Sequence, residues 1–270
     1  MSKLIIIGNG YIGQKIKQQL SSRVDELVVL NGLSYNNPEE LLKELHNTVG
    51  PEIRYLSGPG FKDPADRPWV INCVGYTGNP NVDACEEEKE KCWQLNVTFP
   101  TLLAGFCLKQ NISLINVSSG CIYDNYKGIV DKKYEEEEWP DFGINSEKSS
   151  WYSRTKHAAE LSLNAFPNVY TLRVRMPICN DFNSRKNYLT KILKYNNLLE
   201  ETNSKTIIED LINVIHKITN LPDIPAGSYN CVNPDPLSTK EVTQILDKAG
   251  MWNIEMPSER VSLERILFPE

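Results

Sequence analysis

Tyr152 and Lys156 stand four residues apart in Tyr152-Ser153-Arg154-Thr155-Lys156. On a helix, that spacing puts both side chains on one face. A free phenol, with a pKa of about 10, is too weak an acid to work unaided at neutral pH. An adjacent ammonium stabilises the phenolate and lowers that pKa, so the pair can deliver a proton to a carbonyl oxygen during hydride transfer. Taken alone, the pattern also occurs as a plain surface pair. Upstream, Val117-Ser118-Ser119-Gly120-Cys121 follows an apolar stretch, which puts small hydroxyls at the carboxyl end of a strand. Open α/β sheets bind their ligands there. Ser119 is therefore the group to hydrogen-bond a substrate carbonyl.

Hydride transfer needs a carrier, and the chain has a turn that suits one. Gly8-Asn9-Gly10-Tyr11-Ile12-Gly13 is G-x-G-x-x-G, set directly after an apolar strand and opening a helix. The first glycine allows the tight turn, the second lets a pyrophosphate approach the backbone, and the third lets helix and strand pack closely. The helix N-terminus adds free N–H groups and partial positive charge. Gly8, Asn9, Gly10, Tyr11, Ile12 and Gly13 are thus expected to bind a dinucleotide. Asn72, Cys73, Val74 and Gly75, at the end of the third strand, are expected to line it. No acid follows the second strand, which ends at Leu30-Asn31-Gly32, so nothing there grips a free ribose 2′-OH. No arginine stands there either. The missing acid leans towards a phosphorylated ribose, and the missing arginine leaves NADP(H) and NAD(H) both open.

These groups need a frame that brings them to one edge. Short apolar runs at 4–7, 27–30, 69–74, 113–117 and 169–174 read as buried strands. Helical patterns lie between them at 11–20, 38–47, 82–110 with a break at Pro100, and 150–166. Alternating strands and helices imply βαβ units. The fold class is α/β, a doubly wound parallel (Rossmann) sheet with a smaller C-terminal substrate-binding lobe. Residues 1–176 make the dinucleotide-binding domain and 177–270 the lobe, with some segments returning to the first domain. In the lobe, 188–199, 207–218 and 239–249 read as helices and 228–232 as a strand.

Composition narrows the class. The 270 residues carry 29 Lys and Arg against 35 Asp and Glu, a net charge of −6, without a basic cluster. Nucleic-acid grooves and anionic membrane surfaces need clustered cations, so neither is expected as a partner. No apolar stretch approaches a membrane span, and nothing reads as a targeting segment. Seven cysteines without paired spacing argue against a disulfide framework and against a metal site. The setting is read as reduced and cytoplasmic. The four glutamates at 135–138 read as a solvated loop.

With the glycine turn, Ser119 and the Tyr152/Lys156 pair in order, the chain resembles the extended short-chain dehydrogenase/reductases. Within them it is most similar to the plant-type nucleotide-rhamnose synthase/epimerase-reductases, from about residue 69 to about residue 233. The resemblance rests on Gly78-Asn79-Pro80-Asn81-Val82-Asp83, Gly120-Cys121-Ile122, Tyr152-Ser153-Arg154-Thr155-Lys156 and Thr171-Leu172-Arg173-Val174-Arg175-Met176-Pro177-Ile178, followed by Asp181 and Asn187-Tyr188-Leu189-Thr190-Lys191. It implies a bifunctional enzyme that epimerises C3 and C5 of a UDP-4-keto-6-deoxyhexose and reduces C4 with NADPH. It also implies that Cys121 and Lys191 are the acid/base pair of epimerisation, and that Met176 and Ile178 join the cofactor site. Asn96 either supports the active-site strand or is a surface asparagine. Arg173 and Arg175 each either meet a phosphate or form a structural ion pair. The partner is a nucleotide-sugar, and a homodimer is left open. Two other readings stand beside this one. One is a 4-keto reductase alone, resembling dTDP-4-dehydrorhamnose reductase; the other is a dinucleotide-binding regulatory subunit without turnover.

Overall fold

Lys3–Ile7 forms strand β1, and its apolar residues Leu4, Ile5, Ile6 and Ile7 are all wholly buried. Successive side chains point to opposite faces, so this sheet is covered on both sides, as parallel sheets are. The structure, a computed structural model, describes residues 3–30, 37–49, 68–79, 81–124, 133–195, 198–221 and 223–251. The chain divides into two compact units, Met1–Val174 with Ile212–Cys231, and Arg175–Leu211 with Val232–Glu270.

In the first unit, β1 is followed by α1 (Tyr11–Leu20), β2 (Glu26–Leu30), α2 (Pro38–Val49) and β3 (Trp69–Asn72). After the short helices α3 (Ala84–Glu87) and α4 (Lys89–Trp93) come a wide π-type turn at Gln94–Thr98 and helix α5 (Phe99–Lys109). Then come β4 (Ser113–Ser119), a 3₁₀ turn at Gly120–Ile122, α6 (Trp151–Leu163) and β5 (Val169–Val174). The sheet order is β2-β1-β3-β4-β5-β9, every neighbouring pair parallel, where β9 is Gly227–Asn230. From β1 the chain goes to β2 on one side and then to β3 on the other. The strand order therefore reverses there, and the carboxyl ends of β1 and β3 flank the crevice where such sheets bind ligands. On one face, Ile5, Ile7, Val70 and Leu114 pack with Leu45 of α2, Leu103 of α5 and Leu163 of α6.

The helical stretch expected over 82–110 is broken, but not at Pro100. The break lies at Glu88, whose backbone leaves the helical region (φ −102°, ψ 49°). Pro100 follows a wide helical turn, and the backbone stays helical through Thr98 (φ −62°, ψ −50°) and Phe99 (φ −58°, ψ −55°). That turn is Gln94–Thr98, and Asn96 sits in it. The acidic run is not a plain solvated loop either. Glu136 O accepts from Arg173 Nη1 (3.2 Å), Glu136 Oε1 accepts from Asn230 N (2.9 Å) and Glu138 O accepts from the Tyr123 hydroxyl (2.9 Å). A buried guanidinium needs acceptors, and this run supplies one.

The second unit holds β6 (Pro177–Ile178), α7 (Tyr188–Lys194), β7 (Thr202–Asn203), β8 (Thr206–Ile207), β10 (Leu237–Ser238) and α9 (Thr239–Lys248). Helix α8 (Ile208–Asn220) leads from it back to the first unit. β6 pairs with β8 and β7 with β10. Ile192 of α7 and Val242 and Leu246 of α9 make its core. A capping box, Ser238 with Glu241, starts α9. Among the described residues, no helix is long and apolar enough to cross a membrane.

Candidate active site

The glycine turn closes against the end of β3. Gly8 has φ +100°, and a β-carbon there would stand 3.0–3.1 Å from Val74 Cγ2, Cys73 C and Val74 N. A β-carbon on Gly13 would lie 2.2 Å from the Gly8 carbonyl oxygen. Both positions therefore exclude side chains, one by conformation and contact, the other by contact alone. At Gly10 a β-carbon would meet nothing within 4 Å. Gly10 caps α1 without a side chain, and its open side fits a pyrophosphate approaching the first-turn N–H groups.

Asn72 is wholly buried, and its amide works inside the sheet. Nδ2 donates to Asn116 Oδ1 (2.7 Å) on β4, and Oδ1 accepts from Val74 N (3.0 Å). The side chain thus shapes the bend at Cys73 and Val74. Beyond it, Gly75 is bare because Lys156 Nζ and Asn96 Oδ1 lie 3.1 and 3.4 Å from where its β-carbon would be. Asn96, 2% exposed, is not a surface residue. Its Oδ1 accepts from Tyr76 N (2.7 Å), and its Nδ2 donates to Tyr76 O (3.0 Å), Thr155 Oγ1 (3.1 Å) and Cys92 Sγ (3.3 Å). One side chain in the wide turn thereby ties the loop after β3 to α6.

Helix α6 is capped by Ser150, whose hydroxyl accepts from Ser153 N (3.2 Å). Tyr152 lies in its first turn and Lys156 one turn on, with Nζ 5.8 Å from the phenol ring centroid. Ser119 ends β4, accepts from Cys121 N (3.2 Å) and acts on the Tyr152 phenol from close by. Cys121 is half-buried and packs with Tyr152, Tyr76 and Trp151 around Cys85 and Cys92. Ser119, Cys121, Tyr152 and Lys156 thus meet in one place.

The electrostatics differ from the simple expectation. The phenol of Tyr152 is raised, not lowered, above its ordinary pKa. Burial is the main cause, nearby Cys121 adds to it, and Ser119 opposes it. Burial also pushes the Lys156 ammonium down to about 8, with Cys92 and Cys121 working the other way. A buried site disfavours both charged forms, so at neutral pH Tyr152 holds its proton while Lys156 remains mostly charged.

Arg173 resolves to the structural alternative. It is 3% exposed, forms a forked ion pair with Glu160 of α6, and donates to Asn230 Oδ1 (3.2 Å). Arg175, in the second unit, donates to Asn203 Oδ1 (2.8 and 3.2 Å). Lys191 lies on α7 and Ile178 on β6, both in that unit. Met176, also there, takes a left-handed φ of +42°, a strained conformation for a non-glycine residue. Asn31, Gly32 and Pro80 fall outside the described residues.

Sequence reasoning missed Cys92, Thr155 and Tyr76, which form the layer behind the site. The available signal was spacing: Cys92 precedes Asn96 by four, and Thr155 sits inside the Tyr152–Lys156 motif. A cavity of about 630 Å³ in the first unit lies elsewhere, lined by Glu138, Trp139, His157, Arg173 and Ser228 among others. Among the described residues, no group of three or more His, Cys, Asp or Glu is set to hold a metal ion.

Comparison with known proteins bears on this arrangement. Residues 1–252 match the RmlD substrate binding domain. A bifunctional dTDP-4-dehydrorhamnose 3,5-epimerase/dTDP-4-dehydrorhamnose reductase of Arabidopsis thaliana is 36% identical over 192 residues, 68% of this chain and 61% of that protein. A trifunctional UDP-glucose 4,6-dehydratase/UDP-4-keto-6-deoxy-D-glucose 3,5-epimerase/UDP-4-keto-L-rhamnose-reductase of the same plant is 35% identical over 181 residues, 65% of this chain and 26% of that protein. The match thus spans under two thirds of the first of these relatives and about a quarter of the second. Among solved structures, the UDP-rhamnose synthase of Acanthamoeba polyphaga mimivirus superposes with a TM-score of 0.71 at 24% identity, covering 94% of this chain and 82% of that one. The dTDP-4-dehydrorhamnose reductase of Bacillus anthracis, in complex with NADP, has a TM-score of 0.69 at 18% identity, covering 94% and 84%. At such identities the two structures speak to the fold, which is the α/β Rossmann-like fold with a six-stranded parallel sheet. The sequence match over most of the chain settles the rest: this protein belongs to the RmlD substrate-binding domain family.

Proposed function

We propose that the chain is an NADPH-dependent reductase of a UDP-4-keto-6-deoxyhexose that also epimerises C3 and C5, giving a UDP-L-rhamnose-type sugar. The observation that carries this reading is the meeting of Ser119, Cys121, Tyr152 and Lys156 beside the Gly75 bend. The plant relatives, named for both activities, support it.

NADPH, when bound at the glycine turn, supplies the hydride. Tyr152, held protonated by its burial, gives its proton to the C4 oxygen, and Ser119 hydrogen-bonds that oxygen in the same pocket. Lys156 stabilises the phenolate left behind. Epimerisation takes a proton from carbon next to the ketone and returns one on the opposite face, the roles given to Cys121 and Lys191. NADH is the alternative cofactor. The setting is cytoplasmic, a second copy of the chain is the one macromolecular partner allowed for, and Met176 and Ile178 are assigned to the cofactor.

Incubation with NADPH and UDP-4-keto-6-deoxyglucose in D₂O, read by NMR, tests the reading. An L-rhamno product carrying deuterium at C3 and C5 is expected. A reduced product without deuterium leaves a reductase alone and removes Cys121 and Lys191 from the chemistry. No consumption of NADPH with this or the acetamido analogue overturns the enzyme reading.

A further inference from the structure

Cys85 and Cys92 are both wholly buried, and both pack against Tyr152. They lie on two helices of four and five residues, joined at the Glu88 break rather than in one rigid rod. The two thiols share one buried cluster and interact there. Cys92 also accepts from Asn96 Nδ2 (3.3 Å) and lies 3.5 Å from Thr155 Oγ1. Cys85, with Asn96 and the Lys156 ammonium, holds the Cys92 thiol below its ordinary pKa, whereas burial raises Cys73 and Cys107. Cys92 is therefore the buried sulfur arranged to act as a nucleophile, and Cys85 stands next to it.

We propose that Cys85 and Cys92 are a reversible thiol–disulfide couple beneath the Tyr152–Lys156 pair, oxidised by a small hydroperoxide. The Cys92 thiolate attacks a peroxide oxygen, the O–O bond breaks and one water leaves, giving a sulfenic acid. Cys85 then attacks that sulfur; the S–S bond forms, the S–O bond breaks and a second water leaves. Two thiols lose two electrons and two protons, and hydrogen peroxide becomes two waters. The sulfurs must close to about 2.05 Å, and the Glu88 break between the two short helices is where the backbone can give. Both sulfurs are covered, which excludes bulky oxidants and leaves entry to small ones during local opening.

The bond draws Cys92 away from Asn96 and Thr155. Thr155 Oγ1 donates to Tyr152 O (2.8 Å), and Asn96 holds Tyr76, so both sides of the Tyr152–Lys156 pair are touched. Oxidation also removes the thiolate that helps keep Lys156 charged. Formation of the bond is independent of the proposed reaction; its effect on turnover rests on that reading.

The test treats the full chain with hydrogen peroxide, alkylates the remaining thiols and digests with trypsin, which cuts at Lys89 and Lys91 and so separates the two cysteines. A linked Cys85–Cys92 peptide pair that dithiothreitol abolishes is expected. Trp93 and Trp151, with ring centroids 6.1 Å apart, should change fluorescence on the same time course. Turnover should fall about tenfold and return with the dithiol, as expected when general acid catalysis is partly lost. Cys85→Ser should give no linked pair under the same treatment. Oxidation found at Cys121 or elsewhere, with Cys85 and Cys92 both alkylated, overturns the proposal. A linked pair with unchanged turnover overturns its coupling to the site. If no sugar is turned over at all, peptide mapping and fluorescence still decide whether the couple exists.

Discussion

Tyr152 sits where burial sets its acidity, and the consequence is directional. A phenol raised above its ordinary pKa is a loaded proton donor at neutral pH rather than a base. Tyr152→Phe should therefore lower reduction by about 10²–10⁴-fold, the range for loss of a positioned acid, while an NADPH fluorescence titration stays near wild type. Lys156 sets the alkaline limit. Its ammonium, pushed down to about 8, loses its proton above that pH, so the reduction rate should fall as pH rises through about 8. A pH–rate profile flat to pH 9.5 would remove Lys156 from the proton step. Stability runs the other way. Between about 8 and 10.5 the unfolded chain holds a proton on this lysine that the folded chain lacks, so Lys156 contributes rising stability across that window.

At the scale of elements, the wide turn at Gln94–Thr98 and the glycine turn do the positioning. Asn96 points from the former and satisfies both backbone groups of Tyr76. Asn96→Ala leaves those partners unpaired, at about 1–3 kcal/mol for a buried polar group. Thermal unfolding should show that loss, and reduction should weaken with it, because the Tyr76 loop abuts Lys156. Gly13→Ala drives a β-carbon into the Gly8 carbonyl, 2.2 Å away, so the turn must shift. Dinucleotide affinity should fall sharply in a direct binding titration. Neither helix propensity nor motif spacing predicts the first effect. It arises because Pro100 lies early in α5, with the wide turn before it that carries Asn96.

For the whole molecule, the Arg173–Glu160 pair joins β5 to α6, and Arg173 also holds Asn230 of β9 and the backbone of the acidic run. Removing one partner strands a buried charge, at about 3–5 kcal/mol. Glu160→Ala should lower the unfolding midpoint by that order, measured by denaturant titration, even though neither residue approaches Tyr152 through a hydrogen bond. Substituting both with apolar residues of similar volume should restore much of the stability, since the cost lies in the unpaired charge.

The repeating elements were legible in the amino-acid order because they rest on local rules. Strand runs such as 4–7 are apolar on both faces, helices 11–20 and 239–249 carry their own stripe and ends, and the glycine at 13 answers a contact with Gly8, five residues back. The order of glycine turn, Ser119 and Tyr152/Lys156 was legible for the same reason. Tertiary structure alone decided the rest. Asn96 reaches Tyr76 twenty residues back and Thr155 fifty-nine ahead, and Cys92 meets Thr155 across sixty-three. Arg173 chose Glu160, the backbone carbonyl of Glu136 met the same buried guanidinium, and β9 came back beside β5. The direction of the Tyr152 shift belongs with these. It depends on how completely the folded chain excludes water from the phenol, a property of the assembled site that no spacing of residues encodes.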